Sequence, residues 1–298
     1  MRTLSSLFLV AVLAIAVPAQ TPQQLADQAL QQKTSGCQGV TDEQQCHAKY
    51  VSGCGKTATA LYDPYLDFLK DDLPPTASQP ADTVDPTKLQ QLETATPTAL
   101  TEGNHITFSA QFVKLNEGEI VSTMGYLYYA MSTGAESSNC YITGTPNVDF
   151  HIGIGFDASR VPEAQSKPAS SSSQFLDLQA HSMIVEMTPH YRAQLEPNWI
   201  LSKLQAAYGM QVKVVGQLLA DNDHHTTSDD CAMSGATSTC WRLSIWEIHP
   251  VTAFYVCTAT GGCPTADGTG WTKLEDWSGT GKIKKHHAKK VTESPSAS

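Results

Sequence analysis

Hydrophobic and polar positions alternate with a period of two along the stretch from Val148 to Phe156. Phe150, Ile152, Ile154 and Phe156 fall on one side; Asp149, His151, Gly153 and Gly155 fall on the other. This alternation predicts a strand with one face in a core and the other turned to solvent, carrying a carboxylate and an imidazole together. Four further segments read as strands: Val121 to Leu127, His181 to Met187 (ended by Pro189), Val212 to Leu218, and Trp241 to Cys257, interrupted near Pro250. Between the third and fourth, Pro197 to Gly209 has apolar residues at Trp199, Ile200, Leu204 and Tyr208, a proline near its start and a glycine at its end. That pattern predicts a helix.

Strand, strand, strand, helix, strand, strand is the order of an OB-fold, a five-stranded Greek-key barrel, and a mainly β chain of this kind is the expected fold class. The first and fourth strands share the spacing Val-x-x-x-Gly-x-Leu: Val121, Gly125, Leu127 and Val212, Gly216, Leu218. Pairing of these two strands would close such a barrel, and a glycine inside a strand marks a bend or bulge. A β-sandwich would want about seven short strands. In the last strand the apolar parity slips from Leu243/Ile245 to Trp246/Ile248, which predicts a bulge and leaves open where Glu247 and His249 point.

The flanks read differently. Met1 to Ala19 has Arg2, an apolar run from Leu7 to Val17 and small residues at a cleavage position, so it is expected to be a cleaved secretory signal. Residues 20–70 suggest a small helical piece containing cysteines, with helices near Pro22 to Leu30 and Leu61 to Leu69. Residues 71–100 are rich in Pro, Thr, Ser and Gln and read as a linker. Residues 101–258 are expected to hold the barrel, with 101–118 either a helix or an extra strand. Residues 259–298 read as a disordered tail ending in the basic run Lys282 to Lys290.

Eight cysteines suit an exported, secreted or periplasmic protein. Cys231/Cys240 and Cys257/Cys263 are close enough to close small loops, and one of Cys37, Cys46 and Cys54 is expected to reach Cys140. A zinc–cysteine site is disfavoured because no C-x-x-C pair occurs. No stretch after the signal is long and apolar enough to cross a bilayer. Net charge is −10, and residues 101–258 hold seven Lys/Arg against fifteen Asp/Glu, which argues against nucleic-acid binding. Gly55-Lys56-Thr57 ends like a phosphate-binding loop, but Tyr50 stands where its first glycine belongs.

Ligands of an OB-fold sit on the face of strands 2 and 3, between the strand 1–2 and strand 4–5 loops. Asp149, His151 and Glu186 are expected on that face. The loops add Glu136, Asn139 and Cys140 at one end and Asp221, Asp223, His224 and His225 at the other, with Arg192 and Arg242 nearby. Glu247 and His249 form a second acid-x-His pair. Asp149, His151, Glu186, Arg192 and Asn139 are the candidate ligand-binding set. His151, His224, His225, Glu247 and His249 are candidate ligands for a divalent metal, zinc or manganese, since imidazole with carboxylate suits such ions. No established metalloenzyme spacing occurs, and hydrogen bonding among these groups is the structural alternative. The strand 2 face offers one imidazole and no other ring for base stacking.

The segments Val148-Asp-Phe-His-Ile152, Val185-Glu-Met-Thr-Pro189, Val212-x-Val-x-Gly-Gln-Leu218 with Asp221-Asn-Asp-His-His225, and Trp246-Glu-Ile-His-Pro-Val-Thr252 resemble a group of uncharacterised exported bacterial OB-fold-like proteins. The likeness covers about residues 118–256. It implies a bacterial, exported barrel and carries no activity or catalytic role. The functional expectation is a binding module for a small polar molecule or saccharide, with metal assistance as an option. The alternatives are a metal-dependent, phosphodiesterase-like hydrolase and a cell-envelope interaction protein. Oligomeric state stays open.

Overall fold

The computed structural model describes residues 36–56, 62–74, 80 and 82–279. The expected signal at 1–19, the helix near Pro22 to Leu30 and the basic run from Lys282 lie outside the described residues. Among the described residues two short helices come first, α1 (Glu43–Lys49) and α2 (Pro64–Lys70). They are followed by β1 (Asp82–Thr83), α3 (Pro86–Ala95), α4 (His105–Lys114), β2 (Ile120–Ser132) and β3 (Phe150–Gly155). Next come α5 (Val161–Gln165), α6 (Ser173–Ala180), β4 (Ser182–Met187), α7 (Pro189–Gln194) and α8 (Leu201–Ala206). β5 (Gln211–Ala220), β6 (Trp246–Cys257) and β7 (Trp271–Lys273) end the described chain. The strands form one mixed seven-stranded sheet in the order β1-β2-β3-β4-β6-β5, with β7 on β6 and β2 also paired to β5. β1–β2 and β4–β6 are parallel and the other pairs antiparallel. Pairing thus runs around β2, β3, β4, β6 and β5 and back to β2, its β4–β6 step resting on one registered pair, Val185 opposite Ile248.

β2 makes this arrangement possible because it is long enough for two partners. Its first half, Ile120 to Tyr126, pairs with β5; its second, Tyr126 to Ser132, pairs with β3. The shared Val-x-x-x-Gly-x-Leu spacing becomes a reciprocal register, with Val121 opposite Gly216 and Gly125 opposite Val212. A Cβ on Gly125 would stand 2.5 Å from the Gly155 carbonyl oxygen, and one on Gly216 would stand 2.3 Å from that of Pro250. The expected interruption near Pro250 is present as register shifts that flank Gly216 opposite Val251, but no bulge lies at the parity slip before Trp246: β6 begins there, and Trp246 to Ile248 pair in regular register with Ala220 to Leu218. Inside the ring lie Leu127, Ile152, Ile154, Val185, Val214 and Ile248, all fully buried in one core.

Several expectations about the flanks and faces need correcting. Residues 82–100 are not a linker: Asp85 caps α3 by accepting from Lys88 N at 2.8 Å, and Val84, Leu89, Leu92 and Leu100 enter the main core of the sheet. Few apolar residues lie there, but all four are used, so average composition misled. Residues 271–277 are likewise folded, with β7 on β6 and Leu274 and Trp277 buried. The ambiguous stretch at 101–118 contains helix α4, and two helices rather than one join β4 to β5. The far face of β3 is not open to water. The rings of Tyr128 and Tyr129 lie over Gly155 and Gly153, and Asp149 is only 2 % exposed. Phe150, Ile152 and Ile154 are buried as expected, with Phe156 partly buried against the same core.

One buried pin fixes the N-terminal helices to the sheet. His105, fully buried at the start of α4, uses Nε2 on Glu117 at 2.9 Å and Nδ1 on Asn222 Oδ1 at 2.8 Å. Its backbone N–H donates to Asp63 Oδ2 at 2.9 Å, and Glu117 also accepts from Ala220 N at 3.0 Å. Burial works against a proton on this imidazole, but Glu117, Asp63 and Asn222 outweigh it and push the pKa up to about 9. The folded value therefore exceeds the unfolded one, and the stabilisation is complete below about pH 6.5 and lost as pH rises through the folded value. His105→Ala should cost about 3 kcal/mol in urea unfolding at pH 6, with a smaller difference from wild type above pH 9. An unchanged difference across that range would rule out a charged pair. Gly155→Ala should cost about 1–3 kcal/mol in the same assay, because its Cβ would fall 1.9 Å from the Tyr128 ring.

Candidate functional site

Strand register brings together the groups that the sequence scatters. His151 on β3 stands opposite Glu186 on β4, and His151 Nε2 lies 2.6 Å from Glu186 Oε1. β6 delivers Glu247 and His249 beside the register shifts: His249 Nδ1 is 3.0 Å from Glu247 Oε1 and 3.7 Å from Glu186 Oε2. Arg242, in the β5–β6 loop, donates to Glu247 and lies 3.4 Å from Asp221 Oδ2 at the end of β5. Lys70, the last residue of α2, reaches Asp221 at 3.3 Å and Glu136 at 3.5 Å. A line of charge thus runs Lys70, Asp221, Arg242, Glu247, His249, Glu186, His151. Asp149, just before β3, joins Glu186 and His249: each of the three offers a ligand atom, and these atoms lie within 4.8 Å of one another.

Most of this centre is inside the protein. Asp149, Glu186, Asp221, Arg242, Glu247 and His249 are at most 2 % exposed. Its opening is made by His151, Glu136 and His224, whose side chains are 15 %, 29 % and 31 % exposed. Trp241 lines the same opening, stacked near His151 with centroids 6.2 Å apart and edge-on to His224 at 4.9 Å. Its indole N–H donates to Asp229 at 2.8 Å, and Asp229 also lies 3.5 Å from His224.

The centre holds more carboxylates than its permanent cations match. Asp149, Glu186, Asp221, Glu247 and Glu136 share Lys70 and Arg242, with Arg192 acting on Asp149 at longer range. Burial, then Glu136, raises the Asp149 pKa to about 6. Burial also lifts Glu186 well above the usual carboxylate range, against the pull of His249. Asp221 goes the other way: burial would raise it, but Lys70, His224 and Arg242 together hold it well below. His249 is raised because Glu186 and Glu247 outweigh its burial. His151 is lowered by burial, so a neutral imidazole stands at the opening. Asp149 Oδ1, Glu186 Oε2 and His249 Nε2 have no hydrogen-bond partner among the described residues. Buried polar atoms are ordinarily paired, so three such atoms on neighbouring residues mark a place for something that accepts their lone pairs.

Not every expected residue arrives here. His225 turns away to the Leu100 carbonyl at 3.0 Å, lining a separate groove of about 630 Å³ beside α3. Arg192 lays its guanidinium over the Phe150 ring at 3.6 Å and donates to the Val148 carbonyl at 2.7 Å, facing Asp149 only electrostatically. Asn139 accepts from Glu136 N at 2.9 Å and so shapes the loop. Cys140 is bonded to Cys46; the other pairs are Cys37–Cys54, Cys231–Cys240 and Cys257–Cys263. Asp223 donates its backbone N–H to Asp221 Oδ1 at 3.1 Å, and its pKa is raised to about 7 by burial and by Asp221. Lys70 lies outside the set of residues expected at the site. The available signal was Asp63, Asp67 and Lys70 interleaved with Tyr65, Leu66 and Leu69: a helix apolar on more than one side must bury its charges with partners. Comparison with protein-family models, with curated proteins and with solved structures returns no match.

Proposed function

We propose that this chain is an exported binding module built on an OB-like barrel, in which Asp149, Glu186 and His249 hold a divalent metal, zinc or manganese. The metal serves to bind a small polar or saccharide ligand at the opening. The carrying observation is the convergence of these three buried residues, each with an unpartnered polar atom. Two carboxylates and an imidazole are a fitting donor set for either ion. A cation there would offset the carboxylate excess and let Asp149 and Glu186 release protons as it binds. Trp241 at the rim offers an apolar face for a sugar ring, and His151, His224 and Glu136 offer donors and acceptors around it. The pairing order β2-β3-β4-β6-β5-β2, with its parallel β4–β6 step, supports the OB-like reading. The four disulfides fit an oxidising compartment, in keeping with Met1 to Ala19 as a secretory signal and with the bacterial barrel group the sequence resembles. No helix among the described residues is long and apolar enough to cross a membrane.

A hydrolytic reading has one observation in its favour: His151, kept neutral by burial, stands at the opening beside Glu186, where it could accept a proton from attacking water. Zinc or manganese titration of chelator-treated protein, followed by calorimetry, tests the metal. His249→Gln and Asp149→Asn should each weaken this ion's binding about 100-fold or more, since even groups behind the ligands contribute 10–100-fold. His225→Ala should leave it unchanged. Unaltered binding in His249→Gln and Asp149→Asn would end this reading. Metal-dependent turnover of a phosphodiester, lost in His151→Gln while metal stays bound, would move the assignment to a hydrolase.

A further inference from the structure

A second group of ligating side chains lies away from the centre just described. Glu43 and His47 stand four residues apart on α1 and therefore share one face of it. α7 brings His190 against that face. The His47 and His190 rings stack with centroids 3.7 Å apart and planes at 27°, and His190 Nδ1 lies 3.3 Å from Glu43 Oε1. One ligand atom from each of the three residues falls within 4.8 Å of the other two. Glu43 is 2 % exposed and His190 5 %. Glu43 Oε1, His47 Nδ1 and His190 Nδ1 all lack a hydrogen-bond partner among the described residues.

Ordinary packing does not account for this. Stacked imidazoles need nothing more than contact, yet here a ring nitrogen of each is left buried and unpartnered beside a carboxylate. An ion pair between Glu43 and His190 would still leave His47 Nδ1 without a partner, and would press an imidazolium against a second imidazole. A further buried carboxyl stands close by: Asp71, 3 % exposed, has its pKa raised by burial and then by Glu43, and its Oδ2 has no hydrogen-bond partner among the described residues. A single cation would satisfy the three converging lone pairs and favour the charged form of both carboxyls.

We propose that Glu43, His47 and His190 form a second metal site for a first-row transition ion of the zinc class, with two imidazole nitrogens, one carboxylate oxygen and the remaining position left to water. The site is a clamp. α1 belongs to the segment bonded through Cys46–Cys140, and α7 follows directly on β4. The same two surfaces are already joined by Gln194 Nε2 donating to Gln44 Oε1, and α1 is also tied to the loop before β3 through Glu43 N and Asn147 Oδ1. A metal here would fasten the disulfide-bonded N-terminal segment over the end of the barrel. This inference stands on different residues from the central site and does not depend on it.

The test is a Co²⁺ titration of full-length, disulfide-intact, chelator-treated protein, read by visible absorption and by metal analysis after desalting, then repeated with Zn²⁺. Wild type should take up two ions per chain. His47→Gln and His190→Gln, which keep a polar group of similar size, should each remove one ion and weaken that site about 100-fold or more. His249→Gln should remove the other. Circular dichroism and a free-thiol count identify any variant that has lost its fold. In that event Glu43→Gln replaces it, and should also remove one ion. Retention of wild-type stoichiometry and spectrum in folded His47→Gln and His190→Gln overturns the proposal. So does a single wild-type ion that only His249→Gln removes, or no ion at all. A single ion removed by His47→Gln and His190→Gln but not by His249→Gln upholds this site while refuting the central one.

Discussion

The structure depends on how an excess of buried negative charge is compensated. Carboxylates seldom go fully inside a protein unless cations or hydrogen-bond donors go with them. Here Lys70 and Arg242 bind Asp221 and Glu247 tightly enough to keep Asp221 ionised despite its burial. Asp149 and Glu186 receive less, and their proton affinities rise. The permanent cations thus stabilise one end of the line of charge and leave the other, around Asp149, Glu186 and His249, wanting a cation. That imbalance gives the site its chemical character.

The scaffold is arranged around the same need. β2 spans two partners, which lets β3, β4 and β6 converge their polar side chains at one end of the ring. The register shifts beside Gly216 interrupt the regular alternation of faces along β6 just after Glu247 and His249, which stand two residues apart. The N-terminal segment is part of this design. α2 supplies Lys70, and the Cys46–Cys140 bond ties α1 to the loop that carries Glu136 and Asn139. Removing that segment would take away a buried cation and leave Asp221 and Glu136 short of a partner.

The main strands of the sheet were legible because their side chains obey a period of two and because matching glycines marked the two strands that pair. Asp149, His151, Glu186, Glu247 and His249 were legible as acid and imidazole at strand positions. The rest depended on tertiary context. Val84, Leu89, Leu92 and Leu100 are sparse in a polar segment, and only packing reveals that each enters the core. Nothing in a two-residue period discloses that tyrosine rings from β2 cover the glycines of β3. His224 and His225 are neighbours in sequence, but a short 3₁₀ turn sends one to the opening and the other to the Leu100 carbonyl. Glu43 and His47 stand at helical spacing on α1, but only the packing of α7 against α1 brings His190 to them.

The most direct measurement is an anomalous-difference map from crystals grown with zinc, collected on both sides of the zinc edge. The account predicts a peak bounded by Asp149, Glu186 and His249, with ligand distances of about 2.0–2.2 Å. A map with no peak there, and with these three side chains instead hydrogen-bonded to one another or to ordered water, would contradict it.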